Sequence, residues 1–171
     1  MTMTGSATTA TAIAVTGHMD LAGPTVPLVR AELERLLAPC AGAGLTGLSC
    51  LAAGADALFA DAVLAAGGRL VAVIPSRDYR AAQVAPSYAA DFDRLVRAAA
   101  EVAVMPYESA GRDAYEAANR ALLARADRLV AVWDGTAPTG KGGGTADVVG
   151  AARELGLPVD VVWPRGARRG A

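Results

Sequence analysis

Six short runs of apolar residues alternate along the chain with longer segments whose apolar residues recur every three or four positions. The short runs predict strands buried on both faces, and the longer segments predict helices that cover them. Crossovers through helices make successive strands parallel. The pattern therefore predicts a single doubly wound α/β domain of three layers, with a mainly parallel sheet of about six strands. The predicted strands are residues 12–15, 45–51, 70–74, 102–105, 129–133 and 159–163.

The predicted domain covers residues 12–163 and contains no segment long enough to act as a linker. Residues 1–11 are small and polar and are predicted to be a flexible lead. Residues 164–171 form a short basic tail that is predicted to fray. The polar segment 75–85 is predicted to be a loop, and a helix is predicted to begin after it at Pro86.

Composition limits the classes of partner. The chain has 171 residues, 53% of them hydrophobic, and a net charge of −1. Such a chain buries a real core but produces no overall field that attracts nucleic acid or an anionic membrane. No apolar run approaches the roughly 18 residues of a membrane span, and the N-terminus lacks a secretory signal. The sequence therefore predicts a soluble cytoplasmic protein with no membrane partner. It disfavours nucleic acid as a partner, although a local basic groove stays open.

Cysteine and histidine are scarce. The chain has two cysteines, Cys40 and Cys50, and one histidine, His18. This number is too small for a Cys/His zinc site and does not favour a disulfide scaffold. No metal and no cofactor is predicted.

The most glycine-rich stretch follows the fifth predicted strand. Gly135 to Lys141 matches the first seven positions of G-x-x-x-x-G-K, but Gly142 replaces the Ser or Thr that binds magnesium. Triphosphate hydrolysis is therefore not expected. The stretch enters a helix at Gly144 and Thr145, where unpaired N–H groups and close backbone approach make a seat for an anion. The alternative is a flexible surface loop whose glycines only form turns.

The predicted ligand contacts of this stretch begin directly after the strand. They include Thr145, which either caps the helix or donates to a phosphate, and Lys141, which adds positive charge. The full set is Asp134, Gly135, Lys141, Gly142, Gly143, Gly144 and Thr145.

Three further loops follow predicted strands, where doubly wound sheets bind ligands. After the first strand, Gly17 allows close backbone approach and His18 is a candidate contact, although an ordinary turn explains both equally well. After the second strand, Gly54 leaves room for a ligand, whereas Asp56 is better explained as a favourable charge at a helix start. After the third strand, Arg77 is able to clamp a phosphate, with a solvated loop as the alternative.

These motifs, in this order, resemble the SLOG superfamily, which groups LOG-type proteins with DNA-processing protein A. Residues 49–56, SCLAAGAD, and 65–73, AAGGRLVAV, resemble the SG-x-A-x-GID and AL-x-x-GG-x-T-I-A-V region of the DNA-processing proteins. Residues 126–135, ADRLVAVWDG, with 142–145, GGGT, resemble the D-x-x-I-x-L-PGG-x-GT segment of LOG proteins. The similarity runs from about residue 13 to residue 163. It implies a Rossmann-like domain, a nucleotide-type ligand at the strand ends, and a homodimer.

LOG-type proteins cleave the N-glycosidic bond of nucleoside 5′-monophosphates, using a glutamate three residues after the motif threonine. Here that position is Val148, and the nearest carboxylate is Asp147, one residue earlier. The PGG triplet is replaced by residues 140–142, and the upstream Arg112 and Arg120 do not match the family's arginine spacing. These departures weigh against LOG chemistry.

Three hypotheses follow. The leading one is a nucleotide or nucleotide-derivative binding protein, a sensor or carrier of a small molecule. The second is a nucleotide N-glycoside hydrolase, with Asp147 as the candidate catalytic carboxylate and Asp134 or Glu116 as substitutes. The third is single-stranded DNA binding, which needs a basic groove that the composition does not favour.

Overall fold

Strands and helices alternate in the computed structural model, which describes residues 10–170. Most of the predicted N-terminal lead lies outside these residues. The first strand begins at Thr11, one residue before the predicted boundary of the domain. The strands are β1 (Thr11–Gly17), β2 (Leu45–Ser49), β3 (Arg69–Ile74), β4 (Glu101–Val104), β5 (Arg128–Val132) and β6 (Val159–Val162).

All the strand pairings within the sheet are parallel, and the spatial order is β4-β3-β2-β1-β5-β6. The chain starts near the middle, adds β2 to β4 on one side, and then crosses to add β5 and β6 on the other. The winding direction therefore reverses between β1 and β5, and this position is the switch point of the sheet. The predicted doubly wound α/β fold is confirmed.

Helices cover both faces of the sheet. Within residues 10–170, no helix is both long enough and apolar enough to cross a membrane. A turn of 3₁₀ helix (Ala38–Cys40) follows the first α-helix. The α-helices are α1 (Thr25–Leu37), α2 (Ala55–Ala65), α3 (Tyr79–Gln83), α4 (Ala89–Ala98), α5 (Arg112–Arg125) and α6 (Thr145–Glu154).

Alternation along the central strands explains the three layers. Ile13 and Val15 of β1 pack in one core cluster with α1 and α2, whereas Ala14 between them packs in another with α5 and α6. Successive side chains of a strand point to opposite faces, so a strand buried on both faces is apolar throughout. This is the pattern from which the strands were predicted.

The segment predicted to be a loop contains a short helix. Tyr79 begins α3, is 5% exposed, and packs against Phe92 of α4 with ring centroids 6.0 Å apart. The next helix begins at Ala89 and not at Pro86, because the chain first forms a turn in which Tyr88 donates its N–H to Ala85. The sequence around Tyr79 is polar and was therefore predicted to be a loop, although Tyr79 itself is buried and anchors the segment.

The basic tail does not fray. The Thr25 hydroxyl donates to the Arg168 carbonyl at 2.9 Å and accepts from the Arg168 N–H at 2.8 Å. Ala22 also donates its N–H to the same carbonyl, and Leu21 forms an antiparallel bridge with Arg169. The tail is therefore attached to the segment between β1 and α1, beside the point where the sheet reverses direction.

Candidate functional site

A cavity of about 600 Å³ opens where the sheet order reverses, at the carboxyl ends of β1 and β5. Its lining comes from the loops after β1, β2, β3 and β5, from α5, from the start of α6 and from the tail. Ligands of doubly wound sheets bind at this position, and cavities for small molecules measure about 300–1,000 Å³. The location and size fit a small-molecule site.

Two glycines allow three elements to meet beside this cavity. A Cβ on Gly17 would lie 2.4 Å from the Cβ of Ala55, at the start of α2. A Cβ on Gly54, which has φ +81°, would lie 2.6 Å from the carbonyl oxygen of Met19. Gly54 was predicted to make room for a ligand, but the structure places it outside the cavity lining, where it makes room for the backbone after β1.

His18 is held by its backbone and by its side chain. Its N–H donates to the Val132 carbonyl, and its carbonyl accepts from the Ala55 N–H, both at 3.1 Å. Its ring meets Trp163 edge-on, with centroids 5.8 Å apart, and its Nε2 lies 3.0 Å from Asp134 Oδ1. The Asp134 backbone N–H also points at Nε2, at 3.2 Å, so the tautomer of the ring decides which of these two contacts is a hydrogen bond. Nδ1 has no partner within residues 10–170.

Asp134 orients His18 and does not itself line the cavity. Its Oδ1 accepts hydrogen bonds from the Thr136 N–H at 3.0 Å and from the Thr136 hydroxyl at 2.7 Å. Burial acts to raise the pKa of Asp134, but the hydrogen bonds from Thr136 and His18 outweigh it and lower this pKa to about 2. The carboxylate is therefore ionised at neutral pH and acts as a fixed acceptor.

The tail contributes an arginine to the cavity. Arg169 lines it, and its Nε lies 3.0 and 3.1 Å from the two carboxylate oxygens of Asp20. Its Nη1 lies 3.9 Å from Asp134 Oδ2. No motif marks this residue in the sequence, because the contact joins positions at opposite ends of the chain.

The predicted glycine seat lines the cavity. Gly142 and Gly143 have φ +74° and +72°. A Cβ on Gly142 would lie 2.6 Å from Arg112 Nε and 2.8 Å from Glu116 Oε1, so the turn passes closely over α5. The positive φ favours glycine at position 142, whereas the neighbouring Arg112 and Glu116 side chains are flexible.

The start of α6 also borders the cavity. Asp147 lies on its first turn, and its Oδ2 accepts a hydrogen bond from the Gly144 N–H at 3.2 Å, which is the role of an acid at the third helical position. Thr145 and Ala146 line the cavity, and the structure gives their N–H groups no partner within residues 10–170. Val148, at the LOG glutamate position, is 3% exposed and packs in the core.

The cavity lining also includes a buried carboxyl group. Asp56 is 8% exposed, lines the cavity, and accepts a hydrogen bond on Oδ2 from the Ala52 N–H at 3.3 Å. Burial raises the pKa of Asp56 to about 7, against the opposing effect of the Ala52 hydrogen bond. Burial also raises the pKa of the neighbouring Cys50 thiol well above its ordinary value. The sequence marked Asp56 only as a charge at a helix start.

The predicted site residues divide into three groups. Arg77 lies away from the cavity, in an ion pair with Glu108, and Gly135 lies in an exposed turn. Gly54 and Asp134 do not line the cavity, but each contacts residues that do. Among the described residues, no three His, Cys, Asp or Glu side chains gather as ligands for a metal ion. The predicted residues that line the cavity are Gly17, His18, Lys141, Gly142, Gly143, Gly144, Thr145 and Asp147.

No protein-family model and no curated protein matches this sequence. Solved structures do resemble it. DNA processing protein A from Helicobacter pylori, solved for its single-stranded DNA binding mode, is 17% identical with a TM-score of 0.66; the match covers 95% of this chain and 69% of that one. DNA processing protein A from Streptococcus pneumoniae is 19% identical with a TM-score of 0.64, covering 91% of this chain and 51% of that one.

A third resemblance is to a molybdenum cofactor binding protein from Rippkaea orientalis, 18% identical with a TM-score of 0.53. This match covers 88% of this chain and 75% of that one. The chain spans about half the length of the pneumococcal protein. The fold and cavity define a doubly wound domain with a site at its switch point. The fold is the Rossmann-like doubly wound fold that these solved structures share, as predicted.

Proposed function

We propose that this chain binds a nucleotide or nucleotide derivative in the cavity between β1 and β5. The observation that carries the proposal is that a glycine turn, a helix N-terminus and two cationic side chains all line this cavity. A buried carboxyl group and aromatic residues occupy the lining elsewhere. This combination suits a ligand with an anionic group and a planar ring.

The phosphate is bound at the start of α6. The N–H groups of Thr145 and Ala146 are available to it, and the Thr145 hydroxyl is a further donor. Anions are stabilised at this end of a helix by its unpaired N–H groups and its dipole. Lys141 and Arg169 add positive charge, while Asp147 is occupied by the Gly144 N–H.

A small molecule suits the cavity better than a nucleic-acid strand does. Lys141 and Arg169 share the lining with Asp20, Asp56 and Asp147, so the cavity is not a basic groove of the kind that follows a nucleic-acid backbone. Proteins of this fold serve both kinds of ligand: the Helicobacter protein binds single-stranded DNA and the Rippkaea protein binds the molybdenum cofactor. An oligonucleotide therefore belongs among the ligands tested.

Hydrolysis of a nucleotide N-glycoside is a second candidate function, favoured by one observation. Asp134 contacts His18 Nε2, and in the tautomer that carries its proton on Nε2 the Nδ1 atom is a candidate general base for water. Against it, Val148 replaces the LOG glutamate and Asp147 caps a helix. Incubation with nucleoside 5′-monophosphates, followed by chromatography for free base, separates an enzyme from a sensor. Base release that survives His18→Gln would exclude this general base.

The unique lysine provides a direct test of binding. Lys141 is the only lysine of the sequence and lines the cavity. Periodate-oxidised AMP or GMP, whose dialdehyde forms a Schiff base with an amine, should label Lys141 after borohydride reduction, and peptide mass spectrometry locates the label. Lys141→Arg keeps the charge and should abolish the label. Excess unmodified nucleotide should protect Lys141 but not the N-terminal amine; equal labelling with and without it refutes binding here.

Calorimetry measures the affinity for unmodified ligands. Nucleoside monophosphates at a concentration of about 100 times Kd should raise the free energy of unfolding by about 2.7 kcal/mol. An oligonucleotide should leave the free energy of unfolding unchanged. Thr145→Val removes one proposed phosphate donor and should weaken binding by about tenfold. Thr46→Val, in β2 and outside the cavity lining, is the matched control. Stabilisation by the oligonucleotide alone would replace the small-molecule proposal with DNA binding.

A homodimer also remains a proposal. The edge strand β4 exposes Val102 and Val104, at 43% and 48% of their surface, and apolar exposure at a sheet edge is compatible with association. Sedimentation equilibrium should give twice the monomer mass. A Val102→Lys variant should reduce the mass to that of one chain if β4 forms the interface.

A further inference from the structure

We infer that Asp56 determines which ring the cavity accepts, by pairing with a ring edge that carries an N–H beside an exocyclic amino group, the donor edge of guanine. This inference rests on the proposed nucleotide-binding function and names its base class. It concerns a residue of the cavity lining that is not among the predicted ligand contacts.

The first step is that Asp56 lacks a partner that its burial requires. Its Oδ2 accepts the Ala52 N–H, but within residues 10–170 its Oδ1 accepts no hydrogen bond and no cationic side chain lies within ion-pair distance. A buried carboxyl group without a charged partner costs stability. Such groups occur in clefts where a ligand supplies the missing partner.

The second step is that the carboxyl group faces the ligand cavity and not the core. Asp56 is at the second position of α2, and α2 is fixed against β1 by the Ala55 N–H bond to the His18 carbonyl. The backbone therefore holds the carboxyl group in place at the cavity lining. Rigid placement of a hydrogen-bonding group is what specificity between similar ligands requires.

The third step concerns the shape and polarity of the surroundings. Tyr79 and Tyr115 line the same cavity, and Cys50 and Tyr79 interact electrostatically with Asp56. These surroundings are aromatic or weakly polar and favour a planar ring over a hydrated sugar. Pockets of this kind fix the orientation of a ring with a small number of polar groups.

The last step matches donors to acceptors. Two carboxylate oxygens accept from two adjacent donors, and guanine offers N1–H beside its 2-amino group. Hypoxanthine lacks the amino group and so offers one donor. Adenine places the N1 lone pair where the carboxylate needs a proton. The affinities should therefore fall in the order GMP, IMP, AMP.

The test is calorimetric titration of the full chain at pH 8 with these three ligands. We expect GMP to bind about tenfold more tightly than IMP, because one hydrogen bond to a charged group is lost, and AMP to bind more weakly still. Asp56→Asn should remove the preference for GMP while leaving AMP binding within about threefold. Asp61→Asn, on the same helix but outside the cavity, is the matched control and should keep the preference.

The outcomes separate this inference from the function on which it rests. If GMP, IMP and AMP bind equally, or if Asp56→Asn keeps their order, the inference is wrong and nucleotide binding stands. If 2′-deoxy-GMP loses as much affinity as IMP, Asp56 binds the ribose and the inference is wrong. A free pterin carries the same donor edge; tight binding of neopterin with no binding of GMP keeps the inference and overturns the nucleotide. Absence of binding by all these ligands overturns both.

Discussion

His18 Nε2 lies 3.0 Å from Asp134 Oδ1, so a side-chain contact joins the ends of β1 and β5 on either side of the switch point. The two residues are 116 positions apart in the chain. Thr136 donates twice to the same carboxylate oxygen, which fixes Asp134 and with it the imidazole. The contact therefore supports the fold and the cavity at once.

The first prediction concerns the stability that Asp134 provides. Its pKa is lowered from 3.8 to about 2 in the folded chain, so its contribution is complete above about pH 4 and is lost as the pH falls toward about 2. Asp134→Asn should cost about 2 kcal/mol at pH 6 and flatten the profile between pH 4 and pH 2. Urea unfolding across this range measures both. Parallel profiles for the two proteins would contradict the assignment.

Asp56 should make the stability of the chain depend on pH in the opposite direction, and in a separate pH range. Its pKa is raised from 3.8 to about 7, so the folded chain keeps a proton that the unfolded chain releases, and stability falls as the pH rises through this interval. The loss is on the order of 4 kcal/mol. The groups that interact with Asp56, namely Cys50, Tyr79 and Tyr88, all have raised pKa values and stay neutral here.

The matching measurement is urea unfolding of Asp56→Asn from pH 4 to pH 8. The variant lacks the titrating group, so its stability should no longer fall in this range and should exceed that of the wild type at pH 8. A gain in stability combined with a loss of GMP preference is the signature of a residue kept for binding. A stability profile that still falls like the wild type would mean that another group titrates.

A glycine pair tests the close approach at the start of α2. Gly54→Ala places a Cβ 2.6 Å from the Met19 carbonyl oxygen at φ +81°, and should destabilise the chain by about 3 kcal/mol or more. Gly150→Ala is the control, because Gly150 lies in α6 with no atom within 4 Å of its Cβ position. It should stabilise by about 0.5–1 kcal/mol. Thermal unfolding that shifts in the same direction for both variants would contradict this account.

The tail prediction is tested by proteolysis. Thr25→Val removes both hydrogen bonds to Arg168 and should destabilise the chain by about 1–2 kcal/mol. Arg168 and Arg169 are already exposed, but detachment should release the backbone around them, which trypsin must bind in order to cleave. Thr139→Val, in an exposed loop, is the control for the substitution itself. Unchanged cleavage at the tail in Thr25→Val would show that other contacts hold it.

Much of the fold was predictable because burial on both faces leaves a strong local pattern. The strand at Leu129 and the helix entered at Thr145 were both found within a residue or so of their observed limits. The glycine seat was predictable because the positive φ of Gly142 and Gly143 favours glycine. The short helix at Tyr79 was missed because a single buried aromatic residue among polar ones leaves no periodic pattern.

The candidate site divides in the same way. Strand ends and glycine turns are local features of the sequence. Their order along the chain predicted the edge of the sheet at which a ligand would bind. The partner of His18, the approach of Arg169 and the isolation of Asp56 were decided only by the tertiary structure, because each depends on side chains brought together from distant elements. The pattern of apolar and polar residues along the chain specifies which helices and strands form and which faces they bury. Ion pairs and hydrogen bonds between distant elements form only once those elements have packed together.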